Sequence, residues 1–237
     1  MFRAGQDGRR TPDANLCVHS QAALAVASEN AVAYAEVLRP TTGRYYFWVD
    51  DARPMCRCTR CRELCDSDQA LILENHLLGA LRAVDDRASL AHLAYMNTLP
   101  PPAQVRPESG VFLEFAPIRR RHEVPFSRRD ARLDIPGSPS HAEQLDLLDA
   151  NLALFGSRTA QALEYWLDVS RFARWRRERM ARLPWNRAVL ADDLRTYSSR
   201  GVRNITSFAV WIDGDYVRRF GEPPLREYGD ELAKLPK

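Results

Sequence analysis

Between Tyr45 and Cys65 the chain reads YYFWVDDARPMCRCTRCRELC, an aromatic run that ends in two adjacent carboxylates and passes at once into four cysteines. A short, continuously apolar segment of this kind is the mark of a strand covered on both faces, as in parallel sheets flanked by crossover helices. The run, entered through Gly43, predicts a strand over residues 44–51. Its carboxyl end would deliver Asp50 and Asp51 to an open face, beside a thiol-rich loop that something must hold.

The rest of the chain alternates in the same sense. Helical patterns cover residues 20–39, with Ser20 as cap and Pro40 as stop, then 66–84, 141–156 closed by Gly156, 186–201 closed by Gly201, and most of the tail from Asp213. Strands are predicted at 44–51, 90–96, 110–116, 161–168 and 203–211. An arginine-rich irregular stretch, 118–140, is long enough to be functional. Alternating βα units argue an α/β fold with a parallel sheet. Five strands make either an open doubly wound sheet or the last five strands of a TIM (β/α)8-type barrel, whose full set takes about 250 residues. The expected organisation is one domain, 1–237, with earlier barrel strands missing.

With 45% hydrophobic and 27% charged residues the chain can bury a sizeable core. Its net charge of +3 and pI near 8.7 are too mild to imply nucleic acid. No apolar run reaches the roughly 18 residues of a membrane span. The amino terminus MFRAGQDGRR lacks the apolar core of a signal peptide, so the expected location is cytoplasmic, with export only for a start further upstream.

Cys56, Cys58, Cys61 and Cys65 are spaced CxCxxCxxxC, and Cys17 stands apart. Four thiolates suit tetrahedral zinc, and Cys17 or His19 could replace one ligand. Free packed thiols or a disulfide are the alternatives left open by this compact spacing, whereas thiolate catalysis has no neighbouring histidine to support it. The run SRFARWRRERMARLPWNR, with Arg171 to Arg187 among Phe172, Trp175 and Trp185, reads as a solvated loop and helix face more readily than as a nucleobase platform.

The segments ANLCVHSQAAL, FWVDDARPMCRCTRCREL, LAHLAYMNTLPPPAQVRPESGVFLEFAP and GVRNITSFAVW resemble a bacterial family first catalogued as a domain of unknown function and found in glycoside-hydrolase-like proteins. The most specific marks are the carboxylate before CxCxxC and the LAYxxTxxPP strand and turn. The resemblance implies the carboxyl-terminal part of a barrel, with relatives similar to endo-acting β-N-acetylglucosaminidases and an N-acetylhexosamine-containing glycan as substrate. Such proteins normally carry further strands ahead of the part that matches residues 1–24.

In a barrel the strand ends converge, which would gather Asp50, Asp51, Asn97, Glu114, Glu164, Asp168 and Asp213 on one face. Glycosidic cleavage needs a carboxylic acid and a second group that attacks, activates water or stabilises the oxocarbenium ion. Asp51 best matches the family position and is the expected general acid, with Asp50 beside it. Pairing with Glu164 or Asp168 would join fourth and seventh strand ends, as in retaining barrels; a substrate-assisted mechanism would use two neighbouring carboxyl groups instead. Glu164, between Leu163 and Tyr165, equally suits a buried partner for an arginine. Tyr95, Trp166 and Trp211 are candidate stacking platforms, Asn97 a substrate contact, and Arg119 a contact for an acidic arm. No cofactor is expected for catalysis beyond a structural zinc. A second copy could cover open strand edges. The alternative function is a non-catalytic carbohydrate-binding or interaction module.

Overall fold

The computed structural model describes residues 2–235. It opens with an element absent from the sequence expectation, an antiparallel hairpin of β1 (Phe2–Ala4) and β2 (Arg10–Leu16). RTPDANL has no apolar alternation and contains a proline, so periodicity gives no strand signal there.

Helix α1 (Gln21–Leu38) follows, capped by Ser20, whose hydroxyl accepts the N–H of Ala23. It stops where Arg39 turns left-handed at φ 40°, directly before Pro40. The remaining order is β3 (Arg44–Tyr45), α2 (Asp66–Arg82), β4 (Ser89–Ala94), β5 (Val111–Phe115), α3 (His141–Phe155), β6 (Gln161–Glu164), α4 (Val169–Phe172), α5 (Arg187–Ser198), β7 (Asn204–Ser207), α6 (Gly214–Phe220) and α7 (Leu225–Leu232). The five predicted parallel strands are all present, in the sheet order β3-β4-β5-β6-β7, with β3 against β4 and β6 against β7 parallel. The fold class is therefore α/β with a five-stranded parallel sheet.

The strand at 44–51 is a correction. Only Arg44 and Tyr45 pair with β4, opposite Ser89 and Leu90, and residues 46–50 lie outside any strand. The chain divides into two compact units, residues 1–114 with 150–156, and residues 115–149 with 157–237. In the first, Tyr45, Leu90 and Val111 share one core with Ala31 and Ala35 of α1 and Leu71, Leu77, Leu78 and Leu81 of α2. Phe47 packs against this core. In a strand-like segment neighbouring side chains point oppositely, so Tyr46 and Trp48 turn away from the helices. Tyr46 meets Phe112 edge-on at 5.7 Å and Trp48 at 6.2 Å, and the Arg44 guanidinium lies 3.7 Å over the Phe112 ring.

Candidate metal centre and acid loop

Two segments distant in sequence bring the thiols together. Cys17 leaves the end of β2, and Cys56, Cys58 and Cys61 come from the loop before α2. Their four sulfurs all lie within 4.8 Å of one another, and Cys17 Sγ stands 3.8 Å from both Cys58 and Cys61. A tetrahedral ion with bonds of about 2.3 Å to sulfur requires sulfur–sulfur edges of about 3.8 Å, so the thiol set fits such an ion. Cys17, Cys56 and Cys61 are buried and Cys58 is half-buried, which shields the set from exchange with solvent.

Cys65 is a correction to the predicted ligand set. It caps α2: its sulfur accepts the N–H of Asp68 at 3.3 Å and donates to the Asp68 carboxylate at 3.0 Å. A helix starting at Asp66 cannot stack Cys61 one turn below Cys65, so the spacing argument for Cys65 lapses and Cys17 takes its place. His19 stands outside the four sulfurs, with Nδ1 3.2 Å from Cys61 Sγ.

The surrounding groups act unequally on the sulfurs. The N–H of Ala4 points at Cys56 Sγ, 3.3 Å away, and Arg57 N–H donates back to Ala4 O at 2.8 Å, so β1 reads the cysteine loop as an added strand would. Arg10 donates to Cys17, which raises its own already high pKa. Burial alone would push the Cys58 thiol up, but backbone N–H groups of Arg60 and Cys61 and the neighbouring thiols lower it to about 6. Burial pushes the Cys61 thiol well up, helped by the adjacent Cys58 and by the charges of Cys17 and Cys56. Cys58 and Cys61 thus differ widely in acidity, and a divalent cation bound between them would favour the anion of each.

Sequence reasoning passed over two residues that build this centre. Gln69 of α2, fully buried, donates to Cys56 O and Cys61 O at 3.1 and 3.4 Å and accepts Cys56 N–H at 3.2 Å. Asn15 of β2 accepts the N–H of Asp50 at 2.7 Å and donates to Arg53 O and Pro54 O at 3.2 and 3.4 Å. Lone amides carry no pattern in sequence; a pair flanking cysteines is the only signal that was there to read.

Asp50 and Asp51 sit at the tip of the loop held by Asn15, both exposed to solvent. Asn97 is half-buried and donates to Asp66 at 2.8 Å, and Tyr95 is half-buried one turn before Thr98. Thr98 explains the LAYxxTxxPP pattern locally: its hydroxyl donates to Leu93 O and Tyr95 O and accepts Tyr95 N–H, closing the turn before the prolines.

Glu114 is buried on β5 of the first unit, whereas Glu164, Asp168 and Asp213 belong to the second unit and are engaged there. Glu164 is fully buried, 3.1 Å from Arg120, and accepts the Tyr197 hydroxyl at 2.6 Å. Arg120 also pairs with Asp193, which accepts Phe126 N–H at 2.6 Å and Trp166 Nε1–H at 2.8 Å. One guanidinium thus serves two buried carboxylates, and burial holds the Glu164 carboxyl above its ordinary range against the pull of Arg120. Trp166, 6% exposed and bonded to Asp193, is a core side chain and not an open stacking platform. Asp168 caps α4, accepting the N–H groups of Ser170 and Arg171. Trp211 lies in an apolar cluster with Leu167, Met180 and Tyr216 and carries the Arg177 guanidinium 5.6 Å above its ring. Arg119 is exposed. Much of the arginine run is committed internally, Arg171 to Ile118 O and Arg120 O, Arg177 to Asp213, and Arg187 to Glu231.

Comparison with protein-family models, with curated proteins and with solved structures returns no match for this chain. Among the described residues no helix is long and apolar enough to cross a membrane.

Proposed function

We propose that this chain is a glycan-recognising module of the glycoside-hydrolase-like class that its sequence resembles, its five parallel strands standing as the last five of a TIM-type barrel. The observation that carries this reading is the exposure pattern from Tyr46 to Asp50. Tyr46, Trp48 and Asp50 are exposed, while Phe47, packed against the core of α1 and α2, and Val49 are half-buried. Two aromatic faces and a carboxylate at alternate positions suit a saccharide containing N-acetylhexosamine: rings stack on apolar pyranose faces, and the acid accepts hydroxyl or amide protons. Cys17, Cys56, Cys58 and Cys61 hold a structural zinc ion in this reading, since an all-sulfur tetrahedral set is the preference of zinc over harder cations.

Hydrolysis with Asp51 as acid is the second reading, favoured by the family position of that residue. An acid that protonates a leaving group near neutral pH needs surroundings that keep its proton on. Asp50 and Asp51 lie in water, which favours recognition over cleavage.

A titration with N-acetylglucosamine oligomers, followed by tryptophan fluorescence, tests the proposal. Saturable quenching is expected, with affinity reduced about tenfold in Trp48→Ala through loss of one stacking contact. Equal, unsaturable responses from both proteins would end it. Wild-type release of a chromogenic N-acetylglucosaminide that Asp51→Asn abolishes would replace recognition by hydrolysis.

A further inference from the structure

The acid loop has an unfavourable backbone of its own. Ala52, between Asp51 and Arg53, sits at φ 50°, a left-handed conformation that is unfavourable for a residue bearing a side chain. Within the loop a 3.3 Å bond from Arg53 N–H to Asp50 O closes the turn. One side chain adds three further holds: Asn15 accepts Asp50 N–H and donates to the carbonyls of Arg53 and Pro54.

Asn15 is two residues from Cys17, and Pro54 is two residues from Cys56. The two segments that Asn15 clamps are therefore the two that enter the thiol cluster. An ion bound by Cys17 and Cys56 fixes the distance between those segments, which is the distance the clamp must span. Without the ion, the thiols at these separations are joined to one another by weak S–H contacts.

We infer that Asn15 is a positioning residue that couples metal occupancy of the Cys17–Cys56–Cys58–Cys61 centre to the conformation of the Asp50–Pro54 loop. Metal bound at the cluster keeps the clamp closed and the acids presented; its removal frees the strained turn to relax. The inference rests on the metal reading above and is independent of which ligand the loop meets.

Amide hydrogen exchange of the full chain, resolved over residues 49–56, tests it, with zinc content measured on the same samples. The probe is zinc itself, removed by chelation and added back. With zinc, wild type is expected to protect the Asp50 amide, and chelation to speed its exchange by about tenfold or more, the equivalent of one hydrogen bond. Asn15→Ala is expected to retain one zinc per chain yet exchange fast whether or not zinc is present. Asn15→Asp, which keeps the acceptor for Asp50 N–H, should recover part of the protection. Cys65→Ser should behave as wild type and shows that the response belongs to the centre and not to thiols in general.

Failure has two distinguishable forms. Zinc bound at one per chain with loop exchange indifferent to chelation, or protection unchanged in loaded Asn15→Ala, overturns the coupling and leaves the metal reading standing. Less than a tenth of a zinc per chain after reconstitution removes both. Glycan affinity enters neither readout, so the recognition proposal is judged separately.

Discussion

Arg120 lies near the start of the arginine-rich stretch whose length alone marks it in the sequence, and it is fully buried among Glu164, Asp193, Tyr197 and the ring of Phe126, whose centroid is 4.9 Å from its guanidinium. A buried cation shared by two carboxylates stabilises little against an apolar replacement of the whole set, but breaking it leaves charge without a partner. Arg120→Met should therefore destabilise the protein by about 3–5 kcal/mol in urea unfolding, and a loss under about 1 kcal/mol would show that the two acids share a proton well enough to stand alone. His122 points the same way. Burial, with the charges of Arg120 and Arg171, holds it well below its ordinary pKa and therefore neutral beside the intact arginine, which leaves Arg120 to face both carboxylates. Sequence could suggest that Glu164 seeks an arginine; it could not choose Arg120 from the many arginines of the chain.

At the scale of elements, the amino terminus of α2 is where the cysteine pattern misleads and the carboxylate pattern informs. Asp68 accepts the Cys65 thiol and the N–H groups of Cys65, Gln104 and Val105, tying the start of the helix to the segment after the three prolines. Burial would raise its pKa, but these donors outweigh burial and lower it. A carboxyl lowered on folding contributes stability that is fully present above the unfolded value, about 3.9, and is lost as pH falls through the folded value. Asp68→Asn is expected to cost about 2 kcal/mol at pH 7, with the gap to wild type closing below about pH 4. Denaturant melts at pH 7 and pH 3 measure this, and a gap that widens in acid would contradict the assignment. The helices themselves were readable because their signals are local: Ser20 before α1 and Gly156, at φ 81°, after α3 act within one turn of their own residues. Strand lengths were not, because the aromatic run at 44–51 keeps its ladder only where β4 lies alongside.

For the molecule as a whole, the thiol centre ties the β1–β2 hairpin, the acid loop and α2 of the first unit together, so a metal bound there would show in global stability. Chelator-treated protein is expected to melt about 5–10 °C below the zinc-loaded form, by the linkage of binding to folding; coincident melting curves would remove the structural role. The order of helices and parallel strands, and with it the α/β class, followed from the sequence alone, because hydrophobic period and capping residues are properties of neighbours in the chain. Only the tertiary structure decided that Cys17 and not Cys65 completes the sulfur tetrahedron, that Asn15 grips the acid loop, and that Glu164 and Asp168 are held by Arg120 and a helix end. Each of those choices depends on distances between residues far apart in sequence, and such distances are set by packing, which no local pattern encodes.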